Sequence, residues 1–574
     1  MSAVLGLSGL YHDAAAALIV DGQVVAAAAE ERFSRIKHDA SLPHKAAAFC
    51  LEAAGLTMKD LDHVVWYERP LRKYERILVT QLQNFPRSLA AFRRAQFPWL
   101  TDKLWMRSRL CRAFGITRQQ LLFGEHHLSH AASTFYTSGL DHAAVLVADG
   151  VGEWSSTTLY RGHGSTLTPL AEVHFPHSIG MVYSTITAFL GFRVNNGEYK
   201  VMGLAAYGEP RFVSELETLL QLQPDGSFTV NTALVSYQYS ADRSFGPALE
   251  QLLGRARRPG EPLDLNTSDG ARWADIAASL QVLTERALLG LANHLHDLVP
   301  VPDLCFAGGV ALNSVANRVL LQDGPFDTLQ VHPAAGDAGG ALGAALWAWH
   351  DVMGHPRLTN LPPAGLGQDV DVDATRQLLT DLNLPFMEVG DHLIERAASD
   401  IAEGRVVGWV QGRFEWGPRA LGHRSILADP TRNEMKDHLN QRIKFRETFR
   451  PFAPAILEER LHEYVALPTG AEQLTRHMLM VGLATDAGRA QLPAAIHVDG
   501  STRVQAVNDT AQPLFAGLLR ELGRQSGVPA SLNTSFNLKG EPMVATPLHA
   551  LATLHRCEMD AAYIGPFRVT RGHV

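Results

Sequence analysis

The chain has 574 residues, a formal net charge of −8, 46% hydrophobic and 19% charged residues, and four cysteines. A single hydrophobic core stops growing at about 250–300 residues, so two large domains are expected. The composition is that of a folded enzyme and excludes a mostly disordered chain. The acidic balance argues against a general nucleic-acid binder, whose affinity comes from neutralising phosphates with Lys and Arg. No run approaches the roughly 18 apolar residues of a membrane span, and no basic n-region precedes the apolar strand at residues 4–7. Cys50, Cys111, Cys305 and Cys557 lie too far apart for a CxxC pair or a disulfide framework. A cytoplasmic protein with neither nucleic acid nor membrane as partner is expected.

The opening VLGLSGLYHDAAAALIVDGQVVAAAAEER holds three short apolar runs, the last two separated by Asp21-Gly22, a strong hairpin signal. A comparable unit recurs at AAVLVADGVGEWSSTTLYRGHGSTLTPLAEV, so the N-terminal part reads as internally duplicated. His12 and Asp13 lie in the turn between the first two strands, where such a domain opens into its cleft. Either can take a proton from a hydroxyl, and His12 is favoured by its near-neutral pKa. An Asp capping the turn beside a bystander His is the plain alternative. Lys37, in EERFSRIKHD, pairs either with a phosphate or with solvent. Residues 67–111 form a basic, aromatic helical insertion that either covers an acceptor pocket or makes a homodimer or partner surface.

His126 and His130, in GEHHLSHAASTFY, are spaced to share one helix face and one metal. Asp337, at the turn before the small-residue helix of GDAGGALGAALWA, adds a carboxylate. Two histidines and one carboxylate with open positions favour Fe(II), with Zn(II) and Mn(II) also fitting, in a Lewis-acid role. NNGEYKVMGLAAYGEP places Glu198 and Lys200 beside glycines, as in a polar active-site loop. Apolar spacing predicts a helix over 273–298. CFAGGVALNSVANRVLL sets Gly308 and Gly309 between strand and helix, where amides can face a nucleotide anion, with Asn313 in the first turn. Close packing alone explains those glycines equally well.

HDVMGHPRLTNLPPAGLGQDVD, rich in Pro and Gly, reads as a linker between domains at 1–355 and 370–574. The second is also expected to be α/β, with helices over 393–403 and 513–526 and a strand over 406–410. From Arg405 to Arg450, ten basic residues stand against five acidic ones in an acidic chain, which points to a local anion site. Arg413, Arg419, Arg424, Lys444, Arg446 and Arg450 lie there, and GSTRVQAV adds Arg503. Asn533, Thr534 and Ser535 of SLNTSFNLKGEP are short donors for phosphate oxygens or a carbamoyl amide. Arginine forks suit bidentate anion contacts; a structural salt-bridge network is the alternative.

YHDAAAAL, EERFSRIKH, HHLSHAAS, KVMGLAAYG, FAGGVALN, GDAGGALGAA, GPRALGHRS, FRPFAP and LNTSFNLKGEP follow in this order over about residues 4–567. Together they resemble the NodU/CmcH family of O-carbamoyltransferases, which act in nodulation-factor and antibiotic biosynthesis. The resemblance implies an α/β protein: a duplicated actin-like (ribonuclease H-like) ATPase domain, similar to the tRNA threonylcarbamoyl-transfer enzyme, then a YrdC-like domain. It further implies that the second domain makes carbamoyl-adenylate from carbamoyl phosphate and ATP, with Mg2+, using Arg419, Arg424, Lys444, Arg446, Arg450, Arg503, Asn533 and Ser535. The first domain would pass the carbamoyl group to a hydroxyl of a small-molecule acceptor in natural product biosynthesis. Fe2+ or another divalent transition metal would sit on His126, His130 and Asp337. Glu198, Lys200, Gly308, Gly309 and Asn313 would hold the adenylate, and His12, Asp13 and Lys37 would act in catalysis. Ala206, where the family often has Pro, and His423, where it often has Asn, remove no catalytic group. Three rival readings remain. An actin-fold kinase leaves the arginine-rich domain unexplained, transfer to tRNA is opposed by the acidic charge, and an inert nucleotide-binding regulator is opposed by the intact metal and arginine sets.

Overall fold

The structure, a computed structural model, describes residues 1–101, 103–357 and 361–571. Asp102 of the basic insertion and residues 358–360 of the expected linker lie outside the described residues. The chain divides into two compact units. One comprises Met1–Leu10, Ala15–Val25 and Leu42–Leu361, the other Tyr11–Ala14, Ala26–Ser41 and Pro362–Val574. Two N-terminal segments therefore group with the C-terminal part of the chain.

The first sheet has the order β3-β2-β1-β4-β5, from β1 (Ala3–Ser8), β2 (Ala15–Val20), β3 (Gln23–Ala29), β4 (His63–Trp66) and β5 (Leu121–Phe123). A second sheet follows with β6 (His142–Ala148), β7 (Ser155–His163) and β8 (Thr166–His174). After a small hairpin of β9 (Leu220–Leu222) and β10 (Phe228–Val230), it is completed by β11 (Asp303–Ala307) and β12 (Thr328–Val331). Its order, β12-β11-β6-β7-β8, repeats the first. In both, the leading strand pairs antiparallel with its successor and parallel with a later strand, Ala3↔Val20 and Val4↔His63 in one, Val145↔Tyr160 and Leu304↔Ala144 in the other. This is the duplicated actin-like arrangement, in the α/β class expected. β1 is buried along its whole length, as its uninterrupted apolar run requires. Asp21 and Gly22 take φ of 45° and 78°, the left-handed pair that a tight hairpin needs.

The helix Asp337–Trp347 packs against β1 and against the helix His126–Phe135. A Cβ at Gly343 would lie 1.7 Å from the Ser129 carbonyl oxygen. Only glycine permits this approach, and it brings the two helices carrying the expected metal ligands together.

In the second unit, one eight-stranded sheet has the order β13-β23-β22-β14-β15-β21-β16-β20. Its strands are β13 (Phe386–Glu388), β14 (Val407–Val410), β15 (Arg424–Ala428), β16 (Ala453–Leu457), β20 (Gln505–Val507), β21 (Ala530–Ser535), β22 (Ala561–Ile564) and β23 (Phe567–Thr570). A smaller sheet joins β17 (Val465–Ala466), β18 (Val481–Ala484) and β19 (Ser501–Arg503). The period-two pattern splits the large sheet into two apolar faces. Val407, Trp409, Leu427 and Tyr563 pack with Leu393, Ile401 and Leu519, while Val410, Ile426, Ala428 and Ile564 face another core. The helices Leu393–Ala402 and Pro513–Ser526 lie where apolar spacing predicts them.

Candidate functional site

His126 and His130 occupy successive turns of one buried helix, and their Nε2 atoms lie 3.1 Å apart. Asp337, the first residue of its helix, places Oδ1 3.7 Å from His126 Nε2 and 3.5 Å from His130 Nε2. A fourth member, Asp149, was not foreseen as a ligand. Its Oδ2 lies 3.1 Å from His126 Nε2 and 3.8 Å from His130 Nε2. The available signal was its position directly after the apolar run at residues 143–148 of β6, where a carboxylate has little structural reason to be. One donor atom from each of the four residues lies within 4.8 Å of all the others. Among the described residues neither histidine's Nδ1 has a hydrogen-bond partner, so the polar interactions of both rings concentrate at Nε2. Two imidazoles and two carboxylates converging in a buried space are a donor set that fits a divalent transition metal.

Burial alone would lower the His126 imidazole, but the bond to Asp149 and the field of Asp337 carry it up to about 9. Burial would raise Asp149, yet its histidine neighbours hold it well below the carboxylate range. Both shifts have one cause, the attraction between the imidazoles and the two carboxylates. Glu153 accepts from the His126 amide at 3.1 Å and the Arg69 amide at 2.7 Å, so its carboxylate serves the open start of the ligand-bearing helix.

Gly308, at φ 92°, lets the next residue's amide reach the cluster, and Gly309 N donates to Asp149 Oδ1 at 3.0 Å. These two glycines thus serve the acidic ligand directly. Asn313 caps the helix Ser314–Asp323 through Ala316 N and exchanges hydrogen bonds with Gln281. Glu198 accepts from Ser184 Oγ and the Asn195 and Gly197 amides, and Lys200 Nζ stands 5.5 Å from the Phe192 ring centroid. Glu198, Lys200 and Asn313 are thus each engaged by neighbours of their own.

His12, Asp13 and Lys37 belong to the second unit, a placement not apparent from their sequence position. Asp13 accepts from His12 Nδ1 at 2.9 Å and from His38 Nδ1 at 2.8 Å. Burial would raise this carboxyl, but the two histidines hold it far below its ordinary value. Because the carboxylate can only accept, the hydrogen of each ring is assigned to Nδ1, which leaves Nε2 as the proton-accepting atom. Lys37 Nζ is paired with Glu31 at 2.8 Å, and the same carboxylate accepts the His38 amide.

Lys444 is buried, and its ammonium donates to Ser535 O at 2.6 Å and to Asn537 Oδ1 at 2.8 Å. Burial, then the nearby Arg446 and Arg450, push it well below the usual lysine range. Arg503 suffers the same from burial and from Arg419, Arg446 and Arg450. These shifts reflect burial together with several cationic groups held close to one another. Asn533 donates to Gln505 Oε1 at 2.6 Å while its own Oδ1 is buried without a partner among the described residues. Ser535 Oγ bonds to Asn537 Oδ1. Arg424 differs from the other arginines. It is fully buried and donates to the carbonyls of Ala545, Gln411, Gly412, His423 and Gln368. Its guanidinium is spent on the backbone, which corrects its expected place among the anion-binding residues. Glu415, also unforeseen, accepts the Leu421, His423 and Arg424 amides and so shapes the loop carrying Arg419.

The first unit thus gathers two histidines and two aspartates in one buried cluster, and the second brings several cationic side chains close together. Residues 3–346 match the family described as Carbamoyltransferase N-terminus, and residues 398–571 match Carbamoyltransferase C-terminus. An uncharacterized protein of Synechocystis sp. is 43% identical over 98% of this chain and 95% of its own length. The nodulation protein NolNO of Sinorhizobium fredii is 36% identical over 98% of this chain and 79% of its own. Nodulation protein U of Rhizobium fredii is 30% identical, with 92% and 89% covered. The chain belongs to the carbamoyltransferase family and is a carbamoyltransferase.

Proposed function

We propose that the protein is an ATP-dependent O-carbamoyltransferase that works through carbamoyl-adenylate. The observation that supports this reading is the crowding of Lys444 and Arg503 with Arg419, Arg446 and Arg450, a density of cationic groups that suits polyanions such as carbamoyl phosphate and the ATP phosphates. There, water cleaves carbamoyl phosphate to carbamate and phosphate. The carbamate oxygen then attacks the α-phosphorus of ATP, with Mg2+ accompanying the nucleotide, and pyrophosphate leaves. Asn533, through its unpartnered Oδ1, suits the carbamoyl NH2 group.

The acceptor is a hydroxyl of a small molecule, in natural product biosynthesis. Its oxygen attacks the carbamoyl carbon, AMP departs, and the hydroxyl proton passes to His12 Nε2 while Asp13 fixes the ring and offsets its new charge. His126, His130, Asp149 and Asp337 would hold a divalent metal, for which iron(II), zinc and manganese all suit the donors. When bound, it supplies Lewis-acid polarisation of a carbonyl or phosphoryl oxygen. Gly309 orients Asp149 for that task.

The test is ATP–pyrophosphate exchange by purified protein, with and without carbamoyl phosphate and with no acceptor present. Exchange that depends on carbamoyl phosphate is expected; its absence from metal-replete, folded protein would overturn the adenylate route.

A further inference from the structure

The first long helix between β4 and β5 carries polar side chains on its buried side. In the helix Pro70–Gln83, Arg76, Thr80 and Gln81 are buried, while Leu71 and Leu82 are exposed. A surface helix of a globular protein ordinarily does the reverse. The inward charges are accommodated: Lys73 Nζ lies 2.6 Å from Glu68 Oε2, and Arg76 stands 4.9 Å from the Phe175 ring centroid. The helix Leu89–Thr101 buries Trp99 and exposes Phe97 and Leu100. Tyr74 Oη donates to Gln96 Oε1 at 2.7 Å, and the Tyr74 and Trp99 rings lie 5.2 Å apart, tying the two helices into a hairpin.

Leu71, Leu82, Phe85, Phe97, Leu100 and Trp105 are between 54% and 74% exposed. Single exposed apolar residues are ordinary, but such a concentration on one hairpin is not. The surrounding charge is equally unusual. From Arg69 to Arg112, eleven Lys and Arg stand against Glu75 and Asp102, in a chain whose total is −8. Arg72, Arg87 and Arg93 are exposed and form no ion pair among the described residues.

We propose that this hairpin docks the protein on an anionic lipid surface, its apolar side chains entering the acyl boundary and its arginines meeting headgroup phosphates. Charge selects this occupant. A second copy across a twofold axis would set like charge against like, and a nucleic acid or acidic protein would satisfy the arginines while leaving the protruding apolar side chains in water. No helix among the described residues is long and apolar enough to cross a membrane, so the attachment lies on the surface.

The test is co-sedimentation of the full chain with phosphatidylcholine vesicles that contain or lack phosphatidylglycerol, at low and high salt. Binding should require phosphatidylglycerol, weaken with salt, and fall on the order of tenfold or more in an Arg87→Glu/Arg93→Glu variant. A Phe97→Ser/Leu100→Ser variant should also lose binding, with thermal melting and lipid-free pyrophosphate exchange unchanged in both. Failure of the wild-type chain to bind anionic vesicles, equal binding to neutral ones, or full binding by both folded variants would overturn the proposal. So would a wild-type dimer that Phe97→Ser/Leu100→Ser dissociates.

Discussion

The two sheets of the first unit repeat one plan, yet the loops leaving their leading strands do different work. Residues 9–14 follow β1 and residues 149–154 follow β6, and each loop presents an aspartate to two histidines. Asp149 meets imidazoles fixed on consecutive turns of one helix, so their Nε2 atoms converge on a shared space. Asp13 binds His12 and His38 through Nδ1, so the two rings radiate from the carboxylate. Asp13 and His38 both hold positive φ, 51° and 55°, conformations that non-glycine residues adopt at some cost and that cluster at functional sites. Duplication supplies the place for a carboxylate. The backbone carrying the imidazoles decides whether the rings converge on a shared space or spread away from the carboxylate.

Separate substitutions should break this comparison cleanly. The largest effect is expected from Asp149→Asn, which removes a ligand and leaves Asp13 untouched. Carbamoyl transfer should fall on the order of a thousandfold, bound metal measured by elemental analysis should drop, and carbamoyl-phosphate-dependent exchange should persist. Next comes Arg503→Met, which should reduce that exchange on the order of a hundredfold without lowering the melting temperature, because it relieves a cation crowded by Arg419, Arg446 and Arg450. A lower melting temperature would mean that Arg503 is structurally paired. Asp13→Asn should slow transfer on the order of tenfold or more and displace its pH profile, with metal content unchanged. If metal is lost as well, the two loops are not independent.

The smallest effect concerns stability. Burial, then Arg476, lowers the His477 imidazole from 6.5 to about 4. The unfolded chain therefore binds a proton that the folded chain refuses. Stability contributed above pH 6.5 is lost as pH falls towards 4, by about 3 kcal/mol as an upper bound. His477→Gln should flatten that part of the urea-midpoint profile between pH 7 and 5, and an unchanged profile would assign the acid sensitivity to other groups.

Sequence periodicity made the local elements legible. Asp21-Gly22 announces its hairpin, the helix Pro513–Ser526 follows its apolar spacing, and His126 with His130 declares a shared face. Asp149 was hidden because a lone Asp-Gly after a strand reads as a turn. The assignment of Tyr11–Ala14 and Ala26–Ser41 to the second unit was invisible, since contiguous patterning carries no record of which distant residues a segment packs against. Arg424 shows a further limit. Its residue type and neighbourhood match those of Arg419, and only the five carbonyls around it reveal a scaffold role.

The crowded cations around Arg503 have a practical corollary for handling the protein. A buffer anion that enters their pocket binds the folded chain and not the unfolded one, so it raises apparent stability by about 2.7 kcal/mol at a hundred times its Kd. On the proposed reading the same anion competes with the substrate phosphates. Phosphate or sulfate should therefore steady the protein and inhibit it together, and the conditions that best preserve it in storage are the wrong ones in which to assay it.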